Sequence, residues 1–185
     1  MRNLKLAIAA GVLGLASLAA ERAEEPAIAA VAMDYKHFKQ MTRSPVFVDP
    51  QLAMLCRGAS QKEVDEARKK SGPHAHTAIL VYMNDVAAEA FDKSTKPFPV
   101  GSIVVKEKKG QAYSTDDPKR AMAATPDGVG GMIKRPAGFD PEHGDWEYFY
   151  FEDAAKIQAG KIGTCVQCHA GASGTDHVFG SWKRS

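Results

Sequence analysis

Trp146-Glu147-Tyr148-Phe149-Tyr150-Phe151 is the stretch that decides the fold. It is aromatic at nearly every position and has no helical period. In an extended strand successive side chains point to opposite faces, so these rings project both ways and both faces should be covered. Two more stretches read the same way. Thr77-Ala78-Ile79-Leu80-Val81-Tyr82-Met83 is an apolar run of β-formers. Ser102-Ile103-Val104-Val105-Lys106-Glu107-Lys108-Lys109-Gly110 is a strand that ends in charge. Gly128-Val129-Gly130-Gly131-Met132-Ile133-Lys134-Arg135 is a fourth candidate, whose glycines mark either a bulge or a close approach by a bound group.

Short helices separate these strands. Ser60 with Glu63 forms a capping box, and Gly72-Pro73 stops the helix it opens. Asn84-Asp85 caps a helix over residues 86–93, and Asp153 caps a helical turn through residue 159. Residues 33–41 read as a short helical turn and 51–57 as helix or coil. Residues 44–50 are extended between prolines, 97–101 turn the chain, and 111–127 form a polar excursion. Three or four strands with short helices and no heptad pattern predict an α+β fold, an antiparallel β-sheet-rich single domain.

The chemistry lies near the C-terminus, in Cys165-Val166-Gln167-Cys168-His169. A C-x-x-C-H pentad is the arrangement that attaches a c-type haem. Two thiols add to the porphyrin vinyl groups, and the following histidine lies under the iron as axial ligand. The pair is also half of a zinc site, but zinc wants four ligands and no second C-x-x-C is present. A thioredoxin-like redox pair follows the first strand of a βαβ unit, which this pair does not. The expectation is one covalent haem c, held by Cys165 and Cys168 with His169 on iron.

Haem c is attached outside the bacterial cytoplasm, and the first residues read as an export signal. Arg2 and Lys5 precede an uncharged run over residues 6–20 that ends in small residues. The run is shorter than the roughly 20 residues that span a bilayer, so an uncleaved anchor is the less favoured alternative. The expected organisation is a signal peptide at 1–20, a linker and N-terminal segment at 21–45, and a haem domain at 46–185. Within it, the alanine-rich residues 21–32 read as weakly ordered. The expected location is the periplasm.

Without Arg2 and Lys5 the basic count falls from 24 to 22, matching the 22 acidic residues. No arginine-rich patch or aromatic–basic interleaving points to nucleic acid. The third cysteine, Cys56, reads as a buried small hydrophobe, with an intermolecular disulfide or reactive thiol as the alternative.

Three pieces together resemble the cytochrome P-460 and cytochrome c′-beta family. They are Phe98-Pro99-Val100-Gly101-Ser102-Ile103-Val104-Val105-Lys106-Glu107, then Asp145 through the aromatic strand, then the pentad with its tail Gly174-Thr175-Asp176-His177-Val178-Phe179. Their order and spacing agree from about Val81 onward. A four-helix cytochrome c′ also carries its pentad late, but these strands are too rich in β-branched and aromatic residues for a bundle. A small electron-transfer cytochrome carries it early with a methionine downstream, and no methionine follows Cys168.

The resemblance implies a β-rich, usually dimeric protein with a five-coordinate haem. It also implies, in the P-460 members, a lysine joined covalently to the porphyrin edge. The motif places that lysine at Lys106. Alternation puts Val104 and Lys106 on one face, with Ile103, Val105 and Glu107 on the other. The competing reading is a solvated strand-end lysine like Lys108 and Lys109. One departure stands out: the strand before the aromatic one offers no distal carboxylate, which leaves Asp140 and Glu142 in the following loop as weak candidates for a base.

Three functions follow as expectations. The first is oxidation of hydroxylamine or another small nitrogen oxide, with electrons passing through the haem to a periplasmic redox partner. The second is nitric oxide binding without turnover, in a pocket that Phe91, Phe98, Phe149 and Phe151 are available to line, although strand aromatics are more often plain core. The third is six-coordinate electron transfer, with Met132, His74 or His76 as sixth ligand. His177 reads as a packing or hydrogen-bonding residue.

Overall fold

The computed structural model describes residues 27–48, 77–110 and 117–180, together with Lys62. The export signal, Cys56, His74, His76, and the helix expected after Ser60 apart from Lys62 lie outside the described residues.

A seven-stranded antiparallel sheet carries the fold, in the order β1-β3-β4-β5-β6-β7, with β2 also on β3. The strands are β1 (Lys39–Gln40), β2 (Val46–Val48), β3 (Thr77–Met83), β4 (Ile103–Lys109), β5 (Gly128–Lys134), β6 (Trp146–Phe151) and β7 (Gln158–Gly160). β1 and β2 share one edge of β3, at its two ends. Four helices accompany it among the continuously described residues: α1 (Ile28–Asp34), α2 (Asp85–Lys93), α3 (Pro118–Ala123) and α4 (Gly163–Ala170). No helix among the described residues is long and apolar enough to cross a membrane. The α+β expectation holds, and all four expected strands are present.

Both faces of the sheet are covered, as the aromatic strand requires. On the front face Ile79, Val81 and Met83 of β3 pack with Met132 of β5 and Trp146 and Tyr148 of β6. Helix α2 closes over them with Ala87, Ala88 and Ala90. On the back face Leu80, Tyr82, Ile103, Val105, Ile133, Phe149 and Phe151 pack against Val31, Ala32 and Tyr35 from the N-terminal segment. Of the linker expected over residues 21–32, the structure corrects the part it describes, residues 27–32. From Ile28 onward that segment is a helix, because its alanines favour one and burying its apolar face offsets the instability of so short a helix.

Asn84 ties the front together. Its Oδ1 accepts from Ala87 N at 3.1 Å, capping α2, and from Ile103 N at 3.0 Å, where β4 starts. The helical turn expected after Asp153 is only a turn, and the chain then forms β7 on β6. The polar excursion contains α3, capped by Asp117, whose side chain accepts from Lys119 N at 2.9 Å.

The glycines of β5 are mostly cut to fit aromatic neighbours. A Cβ on Gly131 would run into the Phe149 ring and come within 2.8 Å of the Val104 carbonyl. On Gly128 it would meet the Tyr150 hydroxyl at 2.5 Å. At Gly130 a Cβ would make only ordinary contact with Tyr150, at 3.5 Å.

The charged end of β4 is not solvated, contrary to expectation. Glu107, Lys108 and Lys109 are all buried. Lys109 Nζ donates to the Met122 and Ala124 carbonyls at 2.5 and 2.7 Å, and Lys108 Nζ to the Tyr150 hydroxyl at 3.1 Å. Glu107 has no exposed surface. It accepts from the Tyr35 hydroxyl at 2.8 Å and pairs with Lys36, with Lys109 at 3.8 Å. Burial pushes the Tyr35 phenol up to about 12, so it stays protonated and donates.

A buried carboxylate stripped of a donor costs about 1–3 kcal/mol. Tyr35→Phe is expected to destabilise the protein by that amount in urea unfolding. No loss would show that Lys36 and Lys109 suffice for Glu107.

Candidate haem site

The front face carries the site. β4 sends Lys106 there between Val81 of β3 and Gly130 of β5, and Gly130 leaves the flank of Lys106 without a side chain. Helix α4 packs over the same face through Ile162, Cys165 and Val166. This brings the two thiols and the lysine into one electrostatic neighbourhood. Burial pushes the Lys106 ammonium down; Cys168 and Cys165 oppose that shift and Lys108 adds to it. Burial pushes the Cys165 thiol up, against the pull of Lys106 and a hydrogen bond to Thr164. Lys106 is thus not a solvated strand-end lysine.

His169 is held by a return of the chain. After α4, Asp176 and His177 adopt the left-handed region with φ of 50° and 64°, which folds the tail back onto the helix. His169 Nδ1 then lies 2.7 Å from the His177 carbonyl, and His177 Nδ1 lies 3.2 Å from the His169 carbonyl. A carbonyl only accepts, so each Nδ1 carries the proton. The lone pair of His169 is therefore on Nε2. Burial pushes the His169 imidazole down to about 4; the His177 hydrogen bond opposes this, while Lys106 and His177 charge reinforce it. At neutral pH it is an uncharged donor, the state that ligates a metal. Its ring lies between Tyr148 and Phe179, with both ring centroids at 5.1 Å.

Tyr148 is the site residue that sequence reasoning missed. It is almost fully buried, yet its hydroxyl has no hydrogen-bond partner among the described residues. Burial pushes its phenol up strongly, with Cys165, Asp140 and Cys168 adding to the shift. An orphaned hydroxyl beside a neutral histidine and two thiols fits a polar group brought by a bound cofactor. Among the described residues no group of three or more His, Cys, Asp or Glu is placed to hold a metal ion by itself, so the thiol pair lacks the partners that zinc needs.

The other expected residues divide. Phe98 and Phe91 belong to the front face. Phe149 and Phe151 belong to the back-face core, the commoner fate of strand aromatics, and their odd positions on β6 send them away from Tyr148. Met132 is buried on the front face next to Tyr148 in the register. Asp140 is engaged, with His143 Nδ1 at 3.1 Å and Lys161 Nζ at 3.4 Å. Burial raises its carboxyl, but His143 and Lys161 outweigh this and hold it below the usual range. Glu142 is exposed in a short 3₁₀ turn over Pro141–His143.

A two-faced antiparallel sheet with a half-buried lysine, faced by a helix that carries two thiols and a neutral histidine, fits a haem cytochrome. Residues 58–180 match the family model described as Cytochrome P460, and the chain belongs to that family. The match begins before the region in which the sequence pieces resemble the family. No curated protein matches the chain.

In the haem-free chain an unpartnered buried hydroxyl contributes only its desolvation cost. Tyr148→Phe is expected to leave thermal stability of the haem-free protein unchanged or raise it by up to about 1 kcal/mol. A loss of more than that would reveal a partner for the hydroxyl.

Proposed function

We propose that the chain is an exported mono-haem c-type cytochrome that acts on small nitrogen oxides, with hydroxylamine oxidation as its reaction. Cys165 and Cys168 would hold the haem as thioethers, His169 Nε2 would ligate its iron, and Lys106 would join the porphyrin edge as in the P-460 members. Bound there, the haem would supply iron to bind the N–O substrate and an acceptor for its electrons. A periplasmic redox partner takes those electrons onward. The arrangement of His169 carries this reading: it is neutral, with its Nδ1 proton committed to the His177 carbonyl and Nε2 free to donate.

Lys106 supports the cross-link. It faces the thiols, its amine is shifted toward the uncharged nucleophilic form, and Gly130 leaves room beside it. Val81, Met83, Met132 and Phe98 pack together on the same face and make it apolar. A second reading has its own observation. Asp140 is committed to His143 and Lys161 and is a weakened base, which favours nitric oxide capture without turnover.

The test is the optical spectrum of the ferrous holoprotein matured in a periplasm, for wild type and Lys106→Ala. A strongly red-shifted Soret band that reverts in the variant, with hydroxylamine turnover in the wild type, is expected. An ordinary high-spin spectrum unchanged by the mutation rejects the cross-link and moves the function to nitric oxide binding. A low-spin six-coordinate spectrum rejects both in favour of electron transfer. Cys165→Ala with Cys168→Ala is expected to release the haem to acid–acetone extraction, whereas wild type retains it.

A further inference from the structure

The loop that fixes His169 is itself anchored by a charge pair buried on the front face. Lys134 Nζ donates to both carboxylate oxygens of Asp176, at 2.9 and 2.7 Å, and both side chains are about nine-tenths buried. Asp176 Oδ2 also accepts from Phe98 N at 2.7 Å, and the Asp176 carbonyl accepts from Trp146 Nε1 at 2.8 Å. Lys134 lies over the Trp146 ring at 5.1 Å. Gly144 closes the remaining side, where a Cβ would come within 2.8 Å of Asp176 Oδ1 and of His177 Cδ2.

Two features make this more than a packing detail. Consecutive non-glycine residues at positive φ are strained and persist only where the surroundings over-determine them. Here the surroundings are the Asp176 contacts. A buried ion pair is also weak evidence for stability, since desolvation offsets most of its attraction, and in some proteins such a pair serves to fix position instead. What it positions is the next residue, whose carbonyl takes the His169 Nδ1–H.

We propose that Lys134 and Asp176 are positioning residues for the iron ligand: their ion pair holds the His177 carbonyl against His169 Nδ1 and so sets the donor strength of Nε2. A shorter Nδ1–H···O=C bond shifts electron density onto the ring, strengthens the iron–nitrogen bond and stabilises the ferric state. Releasing the loop does the reverse. The inference rests on the haem reading above.

The experiment uses holoprotein of wild type, Lys134→Arg, Asp176→Asn, and the double variant Lys134→Met with Asp176→Asn. Asparagine tolerates the left-handed region, and the double change removes one charge of each sign, so net charge is constant. Resonance Raman of the ferrous state reads the iron–histidine stretch, and a redox titration reads the midpoint potential. The double variant is expected to show a lower stretching frequency and a higher potential than wild type, with haem still covalently attached. Lys134→Arg, which keeps the pair, is expected to retain both wild-type values.

A folded double variant with wild-type stretch and potential overturns the proposal. Should the double variant not accumulate, Asp176→Asn alone is expected to lower the stretch, and an unshifted stretch there overturns it equally. Wild type without attached haem rejects the underlying haem reading instead, which keeps the two failures apart.

Discussion

Alternation along β4 is the constraint on which the rest depends. Lys106 and Glu107 are neighbours in the chain and go to opposite faces of a sheet that is buried on both sides. Each charge then needs its own solution. On the front, desolvation drives the Lys106 amine toward its uncharged form beside the thiols. On the back, Tyr35, Lys36 and Lys109 surround the Glu107 carboxylate. A slip of one residue in the pairing of β4 would exchange the two and lose both arrangements. The register that builds the scaffold is therefore the same register that builds the site.

Helix α4 shows the complementary dependence. It is short, it has no side-chain cap at Ile162, and helices of this length are marginal alone. Its hold on the sheet comes from Ile162, Cys165 and Val166 and from the reciprocal hydrogen bonds between His169 and His177. The pentad supplies the chemistry, while the returning tail supplies the orientation.

The strands were legible because β-branched and aromatic runs of that length have few alternatives, and the pentad because its spacing is so particular. The remainder was hidden for physical reasons. Residues 28–34 favour a helix by composition but are too short to hold one alone, and packing on the sheet's back face fixes it. β7 is three residues on an edge, with no β-branched side chain to announce it. Lys108 and Lys109 look like solvated charge, because a sequence does not show the carbonyls and phenol that receive their ammonium groups. Phe149 and Phe151 are as aromatic as Phe91 and Phe98; only the parity of β6 separates core from site. Asp176 lay in plain view in the family-like tail, but its partner Lys134 is 42 positions away.

The docking of α1 on the back of the sheet sets a limit on processing. Val31, Ala32 and Tyr35 are keystones of the rear core, and the Tyr35 hydroxyl is the one that meets Glu107. Removing residues 28–35 would therefore strip the back face of this packing and open the wall behind Lys106.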